Sequence, residues 1–156
     1  MGAASTNIFN YPLPAVIAEL RRAAYPHLAR VANRWNEATR IDTRYPADLE
    51  GFLKRCHKAG QKLATPLLLK YGPGDFNCLH QDLYGEHAFP LQLAILLSEP
   101  RRDFTGGEFV LTEQRPRMQS RATVVPLGQV DGVIFAVHHR PVQGARGALG
   151  STCATA

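Results

Sequence analysis

The spacing of apolar residues changes near residue 62, and this change constrains the fold more than any other feature of the chain. Before it, apolar side chains recur every three or four residues, as they do on one face of an α-helix. After it, short apolar runs are separated by glycine- and proline-rich turns, which is typical of strands. Helices followed by strands predict an α+β fold: helical support over residues 1–62, a β core over 63–146 and an atypical tail over 147–156.

Helices are expected in the first part of the chain. One runs up to Ala24, and a second begins at Pro26, because proline is tolerated in a first helical turn, and continues to about Ala38. A third ends at Gly60, a residue type common just past a helix C-terminus. The apolar stripes that we expect to pack are Val16, Leu20 and Ala24, then Leu28, Val31 and Trp35, then Leu49, Phe52, Leu53 and Cys56.

Strands are expected throughout the second part, and their short lengths favour an antiparallel sandwich or barrel. The tail differs, because residues 147–156 are small and show neither alternation nor a helical stripe. We therefore expect the last strand of the sandwich to be missing. The predicted strands are Leu67–Tyr71, Asn77–Asp82, Phe89–Leu97, Glu108–Thr112, Ala122–Val125 and Val133–His139.

The composition bounds the location and the partners. The chain has 156 residues, which suits a single domain, and its three cysteines are too few for a disulfide scaffold. They suit a reducing compartment, and no signal peptide or membrane-length apolar run is present, so we expect a cytoplasmic protein that does not bind membranes. The net charge is +5, but basic residues are scattered among acidic ones, so we do not expect nucleic acid as a partner.

A His-x-Asp pair and a later His-His pair are the residues that suggest chemistry. On a strand, residues two apart point to the same face, so His80 and Asp82 would project together. A further imidazole comes from His138 or His139 at the end of a later strand, where neighbours would face opposite ways. Two histidines and one carboxylate on one side of a metal form the facial triad of non-haem Fe(II) oxygenases.

Three blocks of the chain resemble the Fe(II)/2-oxoglutarate-dependent dioxygenase superfamily, and most closely its bacterial prolyl 4-hydroxylase-like group. The first is Tyr71-Gly-Pro-Gly-Asp-Phe-Asn-Cys-Leu-His80-Gln-Asp82, which contains the His-x-Asp pair. The others are Phe104-Thr-Gly-Gly-Glu-Phe-Val-Leu111 and the segment from His139 to Arg146, in the family's order. The resemblance implies a double-stranded β-helix, or jelly roll.

The resemblance also implies the site residues. His80, Asp82 and His139 would bind Fe2+, with His138 as the alternative to His139. Arg146 and Tyr71 would bind the far carboxylate of 2-oxoglutarate, the co-substrate used together with O2.

The implied activity is that of an oxidoreductase, a dioxygenase that hydroxylates a C–H bond of a protein side chain or small molecule and forms succinate and CO2. The primary substrate is not readable from the sequence. Two alternatives stay open: a non-catalytic truncated remnant or binding module of the same fold, and an oxidative demethylase of alkylated nucleic acid. A cupin-like metal sandwich fits the strand pattern but would bring more histidines to the metal.

The tail departs from the family, in which a further strand follows the Gly-x-Arg block. Because the tail over 147–156 offers no strand pattern, we hypothesise that the reading frame has shifted near Arg146–Leu149. A chain without its closing strand would leave backbone groups of a neighbouring strand unpaired. On this hypothesis, the protein would fold weakly or turn over poorly.

Overall fold

The computed structural model describes residues 5–83, 85–114, 119–144 and 147–155, and from residue 143 onward it describes the backbone only. The chain divides into two compact units. The first consists of residues 1–77 and 84–88, and the second of residues 78–83 and 89–156. None of the helices in the described part combines the length and the apolar character that a bilayer crossing needs.

The first unit contains two helices and a small antiparallel ribbon. Strand β1, Ser5–Ile8, precedes helices α1, Ala15–Ala38, and α2, Leu49–Lys58, and strand β2, Leu67–Lys70, follows them. β1 pairs with β2 so that its first residue lies opposite Lys70 and its last opposite Leu67. Strand β2 was expected from the sequence, whereas β1 was not.

Helix α1 runs without a break through Pro26, so the expectation of two helices divided there is wrong. Proline removes one backbone hydrogen bond, but packing stabilises the helix on both sides of it, with Tyr25 buried before and Ala29 buried after. The prediction that Val16 packs with the other apolar residues of its stripe is also wrong, because Val16 is 69% exposed. The residues of α1 that are buried are Tyr25, Ala29, Ala32 and Asn36.

Aromatic rings join the helices. The rings of Tyr25 and Phe52 stack with centroids 5.5 Å apart, and the Tyr25 hydroxyl donates a hydrogen bond to the Pro46 carbonyl at 3.0 Å. Asn33 of α1 bonds the Tyr45 backbone in both directions, donating from Nδ2 to the carbonyl and accepting from the amide. The connection between the helices is therefore held by side chains of α1.

Helix α2 begins and ends as its sequence predicts. The side chain of Asp48 accepts a hydrogen bond from the Gly51 amide and caps the first turn. Gly60 has a φ of 86°, the left-handed conformation that a residue just past a helix end requires and that glycine adopts without strain. The predicted end of this helix is confirmed.

The described residues of the second unit form two antiparallel sheets. Strand β3, Leu91–Ile95, pairs with β6, Gly132–Ala136. The other sheet is formed by four strands: β4, Phe109–Gln114; β5, Arg121–Val125; β7, His139–Gly144; and β8, Gly147–Thr155. Their order in the sheet is β5, β4, β8, β7.

The tail forms strand β8, so the expectation that it would supply no strand is wrong. Its backbone pairs with β7 from Gly147 opposite Gly144 to Thr152 opposite His139, and also pairs with β4. Backbone hydrogen bonds need no alternation of side chains, so small residues that directly follow β7 can fold back along it. The described strands form separate small sheets, and a jelly roll stays a prediction.

The segment Asn77–Asp82 is not a strand, contrary to the sequence expectation. Local hydrogen bonds occupy it instead: His80 contacts the carbonyl of Cys78, and the amide of Leu83 donates to the carbonyl of Gln81. Bonds between side chain and nearby backbone compete with strand pairing. Asn77 belongs to the first unit, whereas Cys78–Leu83, which carries the His-x-Asp pair, belongs to the second.

Candidate metal centre

His80 and Asp82 lie side by side although no strand holds them. Nε2 of His80 is 3.5 Å from Oδ1 of Asp82, and the two side chains are 41% and 28% exposed. His80 and Asp82 therefore project together as the sequence predicted, but they do so from a loop and not from one face of a strand. One imidazole nitrogen and one carboxylate oxygen thus face each other at a partly exposed position.

A local hydrogen bond sets the tautomer of His80. Its Nδ1 lies 2.8 Å from the carbonyl oxygen of Cys78, which can only accept. Nδ1 therefore carries a hydrogen and donates it, and Nε2 is the ring nitrogen on the side of Asp82. This is the arrangement found in metal-binding histidines, whose second nitrogen donates to a carbonyl or carboxylate.

Asp82 has a partner at its other oxygen. Nε2 of Gln92, on strand β3, donates a hydrogen bond to Oδ2 of Asp82 at 3.0 Å. Oδ1 then remains the oxygen nearer to His80. Gln92 was not among the residues singled out from the sequence; the only signal it offers is a polar side chain inside the apolar strand β3.

The two later histidines lie together, so the expectation that they face opposite ways is wrong. Strand β6 ends at Ala136, the chain bends at residues 137 and 138, and β7 begins at His139. The bend brings the rings of His138 and His139 to a centroid separation of 3.7 Å, at an interplanar angle of 51°.

The two rings have different surroundings. Burial, and then the neighbouring His139, lower the pKa of His138, which favours the neutral imidazole. Nδ1 of His138 is buried and has no hydrogen-bond partner among the described residues. His139 is exposed. A neutral ring with an unpaired nitrogen has the chemistry of a metal ligand, but these atoms are not gathered with His80 and Asp82 into one cluster.

The pair fits a metal in part. Ligands at right angles, each about 2.1 Å from a metal ion, are about 3 Å apart, close to the separation of the His80 and Asp82 atoms. Within the described ranges, no group of three or more histidine, cysteine, aspartate or glutamate side chains lies close enough to hold a metal ion. The structure thus brings His80 and Asp82 together, and among the described residues no third ligand of the expected triad lies with them.

Of the two residues expected to bind 2-oxoglutarate, the structure describes Tyr71 but not Arg146. Tyr71 belongs to the first unit, where its hydroxyl accepts a hydrogen bond from Nδ2 of Asn77 at 2.7 Å, and burial raises the pKa of the phenol. Arg146 lies outside the described residues. A further cation, Arg140 of β7, pairs with Glu113 of β4 at 2.7 Å across the four-stranded sheet, and the sequence did not single out this pair.

An imidazole and a carboxylate that face each other define a candidate metal site, and comparison with known proteins gives the class of protein. The chain belongs to a family of oxygenases, described as catalysing oxidative methylation of damaged DNA, whose model matches residues 5–154. The expected oxygenase is therefore confirmed at the level of the family. Its assignment to the prolyl 4-hydroxylase-like group stays a prediction.

Similar proteins occur in Mycobacterium tuberculosis. The chain is 49% identical over 143 residues to an uncharacterized protein of strain CDC 1551 / Oshkosh and to one of strain H37Rv. Each match covers 92% of this chain and 61% of the relative, so the chain spans less than two thirds of those proteins. No solved structure matches the chain.

Proposed function

We propose that this chain is an Fe(II)- and 2-oxoglutarate-dependent oxygenase that demethylates alkylated bases of damaged DNA. The observation that carries the proposal is the His80–Asp82 pair, with its tautomer set and its oxygen oriented, in a member of an oxygenase family. The family description favours damaged DNA over the protein side chain or small molecule that the resemblance alone suggested.

The residues have separate tasks in this proposal. Nε2 of His80 and Oδ1 of Asp82 would bind the iron, and an imidazole of the His138–His139 pair would be the third protein ligand. The motif favours His139, whereas the unpaired Nδ1 favours His138. Bound iron would supply the activation of O2 that is coupled to the conversion of 2-oxoglutarate to succinate and CO2. By resemblance, Arg146 and Tyr71 hold the co-substrate's far carboxylate.

The substrate's chemistry follows from the class of reaction. Hydroxylation of a methyl group on a ring nitrogen puts a hydroxyl group and a nitrogen on the same carbon. The bond between that carbon and the nitrogen then breaks, the nitrogen regains a proton, and formaldehyde leaves. The protein's part is to hold the methylated base beside the metal, which requires the base to be unstacked from its neighbours.

Exposed arginines support nucleic acid as the partner. Arg22, Arg30 and Arg34 are exposed on α1 and make no ion pair with a carboxylate in the described part of the chain. Unpaired cations on one helix can neutralise phosphates, and the net charge of +5 has the same sign.

The test uses purified protein with Fe(II), 2-oxoglutarate and a single-stranded oligonucleotide that carries an N-methylated base. We expect formaldehyde and succinate in equal amounts and an unmethylated product by mass spectrometry. His80→Ala and Asp82→Ala should lose both products. The matched control is His57→Ala, because His57 is exposed on α2 and outside the proposed site.

Other outcomes would assign other functions. Succinate formation that the methylated oligonucleotide does not increase would contradict the DNA substrate and favour hydroxylation of a protein or small molecule. A folded protein that binds neither Fe(II) nor 2-oxoglutarate would be a non-catalytic member of the family.

A further inference from the structure

The orientation of the Asp82 carboxylate depends on a residue that no sequence motif assigns. We propose that Gln92 is a positioning residue, which holds Oδ2 of Asp82 so that Oδ1 is presented to the metal beside His80. This inference rests on the proposed function, because it gives Gln92 a role in metal binding. It adds a requirement to the proposed metal site beyond the presence of the ligands. Strand β3 must be in place for the site to bind metal.

The geometry connects the loop to the sheet. Asp82 lies in no strand, so its own backbone pairing does not fix it. Nε2 of Gln92 donates to Oδ2 of Asp82 at 3.0 Å, while Oδ1 lies 3.5 Å from Nε2 of His80. The two oxygens of one carboxylate thus have two different neighbours, and Gln92 selects which oxygen faces the imidazole.

Gln92 itself is held firmly by the sheet. It lies opposite Phe135 in the register of β3 and β6. The Phe135 side chain is buried, and its ring contacts that of Phe109 with centroids 5.4 Å apart. A buried aromatic partner and a regular ladder fix the position from which the Gln92 amide reaches Asp82.

The oxygen of the Gln92 side-chain amide shows that stability alone does not explain why a glutamine stands at this position. Oε1 of Gln92 is buried and has no hydrogen-bond partner among the described residues. A buried unpaired acceptor destabilises a fold, and an apolar side chain of similar size would avoid that cost. Rotating the amide gives no relief, because it would set Oε1 against the Asp82 carboxylate. The fold tolerates the unpaired oxygen, which is expected when the donor at the other end serves a function.

The expected consequence is a change in metal affinity. Replacing a residue that orients a metal ligand typically lowers affinity about 10- to 100-fold. A residue with only a structural role would instead change the stability of the metal-free protein and leave metal affinity as it was. A positioning role therefore changes the metal affinity, whereas a structural role changes the stability of the metal-free protein.

The experiment titrates the full chain with Mn(II), followed by electron paramagnetic resonance, and measures unfolding of the metal-free protein in urea. In Gln92→Met, the side chain keeps its length but cannot donate to Asp82. We expect Mn(II) affinity to fall about 10- to 100-fold while the metal-free protein is no less stable than the wild type. The matched control is Gln129→Met in the same unit, where an exposed amide donates to the Leu97 carbonyl; its Mn(II) affinity should not change.

Each other outcome is decisive. If folded Gln92→Met binds Mn(II) as tightly as the wild type, the inference is wrong and the proposed function stands. If the wild type binds no Mn(II), the proposed function is wrong, and the inference fails with it. If Gln92→Met does not fold, Gln92→Asn decides: its shorter amide cannot reach Asp82 and should show the same loss, so wild-type affinity there would overturn the inference.

Discussion

Nε2 of His80 lies 3.5 Å from Oδ1 of Asp82, and each of the two side chains has a second contact that fixes it. His80 donates to the Cys78 carbonyl, and Asp82 accepts from Gln92. The two atoms that would bind a metal ion face each other, and hydrogen bonds engage the other polar atom of each side chain. This arrangement suits an ion shared by the two side chains. The contact between the pair is therefore the part of the structure on which the functional proposal depends.

The charge of Asp82 should decide metal binding. Asp82→Asn replaces an anionic oxygen by a neutral amide of almost the same shape, and its carbonyl oxygen can still accept from Gln92. We expect Mn(II) affinity to fall by more than about 100-fold, because losing a ligand should exceed the loss caused by a residue that only orients one. Titration with Mn(II) measures the affinity, and circular dichroism checks the fold. Unchanged binding in the folded variant would remove Asp82 from the site.

The His138–His139 pair should separate into a ligand and a supporting ring. We expect His139→Gln to abolish Mn(II) binding, because the motif that follows it resembles the family's distal ligand. His138→Gln should weaken binding less, since the His138 ring contacts the His139 ring at a centroid distance of 3.7 Å and supports it. The same titration checks both variants. The opposite ranking would make His138 the ligand.

The arginines of α1 should contribute to DNA binding. In Arg30→Gln/Arg34→Gln, two exposed cations are lost, and the affinity for single-stranded DNA should fall several-fold. The slope of log affinity against log salt should decrease by about 1.4, because each neutralised phosphate of a single strand contributes about 0.7. Fluorescence anisotropy across salt concentrations measures both quantities.

The control for this prediction is Arg102→Gln. That arginine already pairs with Glu99 and Asp103, so its loss should leave the salt slope unchanged. Equal slopes in the wild type and the α1 double variant would mean that DNA does not contact this face of the helix.

Stability should fall in alkaline solution, and Tyr25 should contribute to the fall. Burial raises the pKa of Tyr25 above its usual value of about 10, so the unfolded chain releases this proton first as pH rises. The folded state then binds more protons, and the free energy of unfolding declines above about pH 10. In Tyr25→Phe, this decline should be smaller.

The same variant should be less stable at neutral pH, by about 1 kcal/mol, because the hydrogen bond to the Pro46 carbonyl is lost. Urea unfolding at pH 7.5 and 10.5 measures both effects. Tyr11→Phe is the control, since Tyr11 is 43% exposed. An identical alkaline decline in Tyr25→Phe and the wild type would contradict the prediction.

Local chemistry explains where sequence reasoning succeeded. Helix α2 depends on a cap at Asp48 and a glycine at position 60, and both act within a few residues. The α+β order also follows from local periodicity. Sequence reasoning failed at Pro26 and in the tail, because burial of Tyr25 and Ala29, and the backbone of β7, supply stabilisation that no local pattern contains.

The candidate site was likewise predictable from the sequence only in part. The amino-acid sequence by itself determined which residues could bind a metal, since His80 and Asp82 are two positions apart and an imidazole and a carboxylate are suitable donors whatever the backbone does. Only the tertiary structure decided that a loop brings them together, that Gln92 orients the carboxylate, and that a bend brings the His138 ring against that of His139. The reason is physical: donor chemistry belongs to a single side chain, whereas direction and distance depend on contacts between residues far apart in the chain.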